Sequence, residues 1–508
     1  MLTWTAMVVT CAVAQPTVCP SACASLQTHV KGQFTCDVAS YAYDWGNRIC
    51  EGILPLCVLR PADAEDVSAA VKVARATNSS LSYRSGGHSY TCNSIKADSI
   101  HLDLRSLNSA TVQSSPHFNG TELSFGTGLN MRQLLDALGE GQMIVHGQCP
   151  TVGAGGLFLH GGIHTTLTLK YGRGNDTVVS MQVVTADGSI LELSDASAHQ
   201  SLWRAMRQAG SSFAIATRIS AKVFDDVPSW KPTDGGDFFP VEVPRARMLE
   251  MVDGAADMEP GLPNYIHVNG VDFLIASADV SFVKNAAWLE EHVLERKLSA
   301  AEWAKSAAVR AFEQPVSEAE GGSDARFGKS GVIPYIYSTQ EAFADVSFIL
   351  PLTCYREPAL RAALAALPER RDPATDLGCY LQVSTTYGRG HAFIDYNCPY
   401  DSEHYAALQR ELDEHVRRLC PVGVLRYVNT PSTFLTARDY YANYDELAAI
   451  KAAYDPHELF RVYQGIRPTG APTDAFERTF HFTRTRSAKD KINELGWDAL
   501  KKVLNAKR

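Results

Sequence analysis

The chain has 508 residues, more than one hydrophobic core usually organises, so two domains are expected. With 45% hydrophobic and 20% charged residues it has the composition of a folded globular protein, which argues against long disordered stretches. A formal net charge of -9 argues against nucleic acid as the main partner, because phosphate binding needs a basic face.

Residues Met1 to Ala14 (MLTWTAMVVTCAVA) are apolar and end in Ala12-Val13-Ala14, a small-x-small cleavage pattern before Gln15. A removed leader and a secreted mature protein are therefore expected. No Lys or Arg precedes the apolar run, so a buried N-terminal strand or helix is the other reading. No later segment has the roughly 18 uninterrupted apolar residues that span a bilayer, and no membrane partner is expected. Of 12 cysteines, Cys11 lies in the leader. The remainder is an odd number, which in an oxidising compartment leaves at least one thiol without a disulfide partner. Cys19, Cys23, Cys36, Cys50 and Cys57 crowd together and predict a stapled N-terminal region. Cys19 and Cys23 have a spacing that zinc tolerates, but the only His-x3-His, His160 and His164, lies far away in a glycine loop; no metal is expected. Sequons at Asn78, Asn119 and Asn175 permit glycosylation.

In chain order, Pro61 to Thr77 predicts a helix with Val67, Ala70, Val71 and Ala74 as its apolar stripe. Leu81 to Tyr83 is a short strand that runs into Arg84-Ser85-Gly86-Gly87-His88-Ser89. Ser99 to Leu104 and Leu123 to Phe125 read as strands, and Asn130 to Leu138 as a helix. A glycine-dense loop follows from Gly147 to Gly162. Asp176 to Thr185, the turn Ala186-Asp187-Gly188 and Ser189 to Leu193 form a hairpin. This alternation predicts an α+β domain over residues 15–225. Residues 226–420 carry helical patterns at Asn285 to Phe312, Glu357 to Arg370 and Ser402 to Leu419. Strands are expected at Val346 to Leu350 and Ala392 to Tyr396, which together suggests a sheet covered by helices. Glu318 to Lys329 is polar and glycine-rich and reads as a loop. A helix is expected at Tyr444 to Tyr454, within a closing segment over residues 421–468. Residues 469–508 form a basic, then amphipathic tail.

Two segments point to chemistry. A strand that ends in paired glycines lets backbone N–H groups approach an anion, and His88 follows at once. Alone, this is also how a turn with a surface histidine reads. The second segment, Gly147-Gln148-Cys149-Pro150-Thr151-Val152-Gly153-Ala154-Gly155-Gly156, holds too many glycines to lack a close-approach role. Phe158 stands where the third glycine of Gly-x-Gly-x-x-Gly belongs, and no Gly-Lys-Ser/Thr is present, so neither nicotinamide nor ATP is indicated.

In this order and about sixty residues apart, the two segments closely resemble the berberine bridge enzyme-like family of the vanillyl-alcohol oxidase fold. Tyr171-Gly172 with Asp176, Ala186-Asp187-Gly188, Tyr427-Val428-Asn429, Tyr454-Asp455-Pro456 and Gln464 also match. The resemblance implies a PCMH-type FAD-binding domain of two α+β subdomains, beside a substrate domain of antiparallel sheet covered by helices. It implies FAD bonded through His88, and also through Cys149, for which a disulfide is the other reading. Arg84, Ser85, Gly86, Gly87, Ser89, Thr151, Val152, Gly153, Gly155, Gly156, Gly162, Tyr171, Asp176, Val179, Asn429 and Gln464 would surround the cofactor. A small β-branched residue at 152 favours an oxidase that uses O2. Tyr427 is the candidate base, aided by Asp395 or Tyr396; Asp395 shares a strand face with Phe393 and Asn397 if the alternation holds. The small-molecule substrate expected first is a sugar oxidised to its lactone. The alternatives are a specialised metabolite such as an alkaloid or terpenoid, or a binding role with little turnover. Departures from the family pattern are Phe158-Leu159-His160, Ile163-His164 and the reduced glycine run Gly210-Ser211-Ser212. The oligomeric state is not legible.

Overall fold

The computed structural model describes residues 19–225 apart from 43–44, 46–49, 51, 148–150 and 165–166. Beyond these it describes 237–240, 249, 265–269, 272–276, 287 and 289–303, then 343–367, 380–384, 390–399, and 403–471 apart from 422, 431 and 433. Residues 1–18, Cys149, residues 318–329 and residues 472–508, where a leader, a flavin-bonding cysteine, a loop and a tail were expected, lie outside the described residues.

The first sheet contains β1 (Gln33–Thr35), β2 (Cys57–Arg60), β3 (Ser80–Arg84) and β4 (Ser99–Asp103) in the order β1-β2-β4-β3. β2, β4 and β3 run parallel, so a crossover must join β2 to β3, and helix Ala64–Ala76 is that crossover. Its stripe Val67, Ala70, Val71 and Ala74 is fully buried, as expected. The helix begins after Asp63 rather than at Pro61, because the Asp63 carboxylate accepts from Asp66 N at 3.1 Å and caps it there. Three disulfides staple this region: Cys19–Cys36, Cys23–Cys57 and Cys50–Cys92.

The second sheet is antiparallel, with β5 (Ala110–Ser114), β6 (Thr121–Gly126), β7 (Val178–Val184), β8 (Ile190–Ser194) and β9 (Ile215–Val223) in the order β5-β6-β9-β7-β8. The predicted hairpin is β7–β8, with Gly188 at a φ of 82° in its turn. The central strand β9 was not anticipated. Its residues are buried almost continuously, so it lacks the alternation that marks a half-exposed strand. Part of the expected glycine loop is also a short helix, Ala154–Leu159. Phe158 explains it: the ring is buried against Phe125 at 5.1 Å, so apolar packing holds a turn that glycine content alone disfavours.

The third sheet is antiparallel as well, with β10 (Asp237–Pro240), β11 (Tyr265–Asn269), β12 (Asp272–Ala276), β13 (Phe343–Pro351), β14 (Tyr380–Ser384) and β15 (His391–Pro399). Its order is β10-β12-β11-β14-β15-β13. Helices Pro358–Ala366 and Glu403–Leu419 pack with one of its faces, the sheet-under-helices arrangement expected. The long helix predicted from Asn285 is broken: a π-helical turn over Glu290–Leu294 ends at Glu295, whose φ is 51°. Ser299 and Glu302 then cap each other to start a new turn, with Ser299 N donating to Glu302 at 2.8 Å. A fourth disulfide, Cys354–Cys420, ties the short helix Leu352–Tyr355 after β13 to the end of helix Glu403–Leu419, and Cys398 is disulfide-bonded too. Among the described residues no helix is long and apolar enough to cross a membrane.

The closing segment joins these layers. Leu425 exchanges backbone hydrogen bonds with Ile349 on β13 at 2.8 and 3.0 Å. Helix Tyr444–Tyr454 then packs into the second sheet's core, and Phe460 enters that of the first. At their junction Lys451 is fully buried. Its ammonium donates to Asp455 at 2.5 Å, to Phe460 O at 3.0 Å and to Ser212 O. Removing one partner of such a pair strands a buried charge. Asp455→Ala is therefore expected to lower unfolding free energy by about 3–5 kcal/mol in urea titrations. A loss within the range of about 0–1 kcal/mol typical of surface pairs would show that the lysine does not hold this junction.

Candidate active site

The two glycine segments meet. A Cβ on Gly86 would sit 2.4 Å from Gly153 N, and one on Gly153 would sit 2.1 Å from Gly86 N, so only glycine lets these backbones touch. Ser85 sits beside that contact, donating to Thr127 O at 2.6 Å and accepting from Gly155 N at 3.3 Å. Gly87, with a φ of 77°, then turns the chain so that His88 Nε2 meets Thr151 Oγ1 at 3.0 Å. His88 thus stands two residues in sequence from Cys149 across a hydrogen bond. Cys149 itself lies outside the described residues.

The turns form one wall of a cleft of about 360 Å³. Ser85, Gly86, Gly87, His88, Ser89, Val152, Gly153, Gly155, Gly156, Gly162, Tyr427, Asn429 and Gln464 line it, as a cofactor site built on the motifs requires. The opposite wall comes from the closing segment. Asn93 holds it in register, donating to Tyr463 O at 3.2 Å and accepting from Tyr463 N at 2.6 Å. Asn429 donates to His160 O at 3.2 Å and to the Tyr427 hydroxyl at 3.0 Å. Burial pushes the Tyr427 hydroxyl up to about 12, against the hydrogen bonds from Asn429 and the Ile163 backbone.

Other expected contacts fall elsewhere. Arg84 is buried outside the cleft. Its guanidinium lies 3.6 Å from Asp103 and over the rings of Trp45 and Tyr41, at 4.8 and 5.3 Å. It anchors the end of β3 rather than facing a ligand, because strand alternation turns it from the cleft its neighbour Ser85 lines. Tyr171 stacks on Phe224 at 3.8 Å, Asp176 pairs with Arg173 at 3.1 Å, and Val179 is buried in β7; none of the three lines the cleft. His164 is likewise a buried residue, accepting from Leu167 N at 3.1 Å and packed edge-on against His146.

On β15 the alternation separates the two proposed helpers of Tyr427. Tyr396 is fully buried in the core under the helices with Val346, Phe348 and Ile394, and so leaves the candidate site. Asp395 is on the other face with Phe393, whose ring meets Tyr427 edge-on at 6.1 Å. Asp395 pairs in register with Ser347, and Thr430 of the closing segment donates to the Ser347 hydroxyl at 2.8 Å. Burial raises the Asp395 carboxyl to about 7, and its Oδ1 accepts no hydrogen bond among the described residues.

Residues that the motifs did not single out also line the cleft, among them Tyr83, Thr127, Ser212, Tyr440 and Tyr463. Only the small Gly210-Ser211-Ser212 run carried a signal: the Ser211 hydroxyl meets His160 Nε2 at 2.7 Å, and its carbonyl accepts from Tyr83 at 2.9 Å. Beyond Tyr427 a second cavity of about 450 Å³ shares His160, Tyr427, Tyr440 and Tyr441 with the first and is walled by Arg173, Arg204 and Arg207.

The residues present fit FAD. The Gly86–Gly153 cradle admits backbone approach, a Cβ on Gly156 would meet nothing within 4 Å, and the buried Gln464 Oε1 has no hydrogen-bond partner among the described residues. Residues 55–194 match the FAD binding domain family, and residues 426–467 match the family described as berberine and berberine like. An FAD-linked oxidoreductase of Arthroderma otae is 32% identical over 204 residues, 38% of this chain. That match spans only 33% of the relative's own length. The (R)-6-hydroxynicotine oxidase of Paenarthrobacter nicotinovorans is 26% identical over 82% of this chain and 92% of its own. The structure of a glucooligosaccharide oxidase from Acremonium strictum, described as carrying 6-S-cysteinyl, 8α-N1-histidyl FAD, superposes with a TM-score of 0.65. It covers 88% of this chain and 99% of its own at 18% identity. The fold is the PCMH-type FAD-binding fold. The chain carries the FAD binding domain together with the berberine-like closing segment, the pair that characterises berberine bridge enzyme-like FAD-linked oxidoreductases.

Because a side chain at Gly153 collides with backbone, Gly153→Ala is expected to purify with most of its flavin absorbance lost while the far-ultraviolet spectrum is kept. Full flavin loading of this variant would show that the glycine contact does not shape the cofactor site.

Proposed function

We propose that this chain is a secreted oxidase that holds FAD by two covalent bonds, from His88 to the flavin 8α-methyl and from Cys149 to ring carbon 6, and oxidises a sugar to its lactone. The observation that carries this reading is the convergence of the two glycine turns, which sets His88 against the Cys149 loop through Thr151. Both linkages need a nucleophile, and an imidazole nitrogen and a thiolate are suited to it. The disulfides and the apolar leader support secretion.

Bound FAD supplies a two-electron acceptor that O2 reoxidises with release of H2O2. The protein's own groups manage the proton. Tyr427, at about 12, keeps its proton at neutral pH and orients the substrate hydroxyl, while Asp395, at about 7, is the group poised to accept the hydroxyl proton through it. Val152 lines the cleft beside the glycine turn, where a small side chain leaves room for O2. The match to a hydroxynicotine oxidase over most of the chain favours a second reading, a nitrogenous specialised metabolite. Four arginines (Arg173, Arg204, Arg207 and Arg426) against one aspartate around the second cavity disfavour a protonated amine and support a neutral or anionic substrate.

Acid-precipitated protein is expected to stay yellow. His88→Ala and Cys149→Ala should each keep one bond and the double variant should release the dye; wild-type protein that loses all its colour on denaturation ends the covalent reading. Purified protein is expected to form H2O2 with oligosaccharides and not with amines. The Asp395 reading makes a two-sided forecast. Rate should rise with pH through about 7 as the carboxyl ionises, and Asp395→Asn should lose that limb together with about 10²–10⁴-fold of kcat. Stability runs the other way. The folded carboxyl titrates above the unfolded one, so its contribution is present below about 4 and lost as pH rises through about 7. Asp395→Asn should therefore unfold at higher urea than wild type at pH 8. A variant with unchanged pH dependence in both measurements would remove Asp395 from the site.

A further inference from the structure

The three sequons occupy very different places in the fold. Asn175 is buried, and its Nδ2 donates to Arg207 O at 2.6 Å, on the helix that carries the second sheet's core residue Trp203. A glycan would replace one of the two protons on that buried nitrogen and crowd its hydrogen bond to Arg207 O. Asn119 is exposed in the loop between β5 and β6, whose ends are closed by Ser114 pairing with Thr121 and Ser115 N donating to Gly120 O at 2.8 Å. Phe118, half-buried, folds back over this loop: a Cβ on Gly120 would lie 2.5 Å from its ring, so the glycine is required for the ring to rest there. The Phe118-Asn119-Gly120-Thr121 order thus sets an aromatic surface beside an accessible amide, and a ring of this kind packs well against the apolar face of a first sugar. Asn78 is exposed as well. It takes the left-handed position, φ 52°, that ends helix Ala64–Ala76, where Ser79 N bonds Ala74 O at 2.8 Å. It lines a groove of about 810 Å³ with Arg75, His199, Tyr454 and His457, polar and aromatic walls suited to a saccharide.

We infer that the folded protein carries N-glycans at Asn119 and Asn78 and none at Asn175. The inference rests on the secretion reading. The amide Nδ2 attacks the anomeric carbon of a polyprenyl-pyrophosphate-linked oligosaccharide; the C–N bond forms as the C–O bond to pyrophosphate breaks, Nδ2 gives up one proton, and nothing is oxidised or reduced. At Asn119 the glycan has a physical use. β5 is an edge strand with most of its residues exposed, and a bulky polar group at its end obstructs pairing with a second copy.

The full chain, secreted from yeast and purified with its flavin, is treated with an amidase in ¹⁸O water and digested. Heavy aspartate is expected at 119 and 78, with unmodified asparagine at 175. Asn119→Gln should run as a smaller species, keep its flavin content, and aggregate faster on warming. Exported protein with Asn119 bare, or flavin-bearing protein labelled at Asn175, overturns the inference alone. Protein that stays inside the cell with reduced cysteines overturns it together with the secretion reading.

Discussion

The contact between Gly86 and Gly153 is the constraint on which the site depends. Two backbones approach closely enough to exclude any Cβ on either side, and everything chemical is measured from that point. Ser85 seals it from one side and the His88–Thr151 hydrogen bond extends it on the other. The glycines belong to different sheets' surroundings, one following β3 and the other preceding helix Ala154–Leu159. Their meeting adds to the apolar packing of Leu81 and Ile100 with Val184 and Ile215 that docks the first sheet on the second.

That closing segment is the second dependency. It leaves the third sheet by pairing Leu425 with Ile349, passes the cleft with Tyr427 and Asn429, and ends locked by Lys451 and Asp455 in the floor under Ser212. One short stretch thus touches all three sheets. A fully buried ammonium is a costly way to fasten it unless every donor is satisfied, and here a carboxylate and two carbonyls satisfy it. The arrangement gives position rather than net stability: it sets Tyr427 against Phe393, whose strand also carries Asp395.

What was legible in the sequence follows from which residues have no substitute. The glycine turns, His88 and the Tyr427-Val428-Asn429 run were readable because close approach and acid–base chemistry admit few residue types. Strand β9 was not, since burial on both faces erases its alternation. Helix Ala154–Leu159 was hidden by its glycines until Phe158 found Phe125. Arg84 and Tyr396 were expected in the site from the resemblance, and strand alternation turns both away from the faces of Ser85, which lines the cleft, and of Asp395, which lies with Phe393. Asn93 and Tyr463, 370 residues apart, meet across the cleft, and no local pattern marks such a pair.

The same alternation explains why Asp395 is informative. A buried carboxylate is ordinarily neutralised by a cation, as Asp413 on helix Glu403–Leu419 is by Arg426. Asp395, on the face of β15 opposite Tyr396, has burial as the cause of its shift. An acid left in that condition destabilises the fold at neutral pH, and a purely structural position filled by Asn or Ser would not. Groups held against the interest of stability are characteristic of sites that move protons. On the proposed reading the proton acceptor is therefore Asp395 on β15, and Tyr427, a hydroxyl that burial keeps protonated, aims the substrate at it.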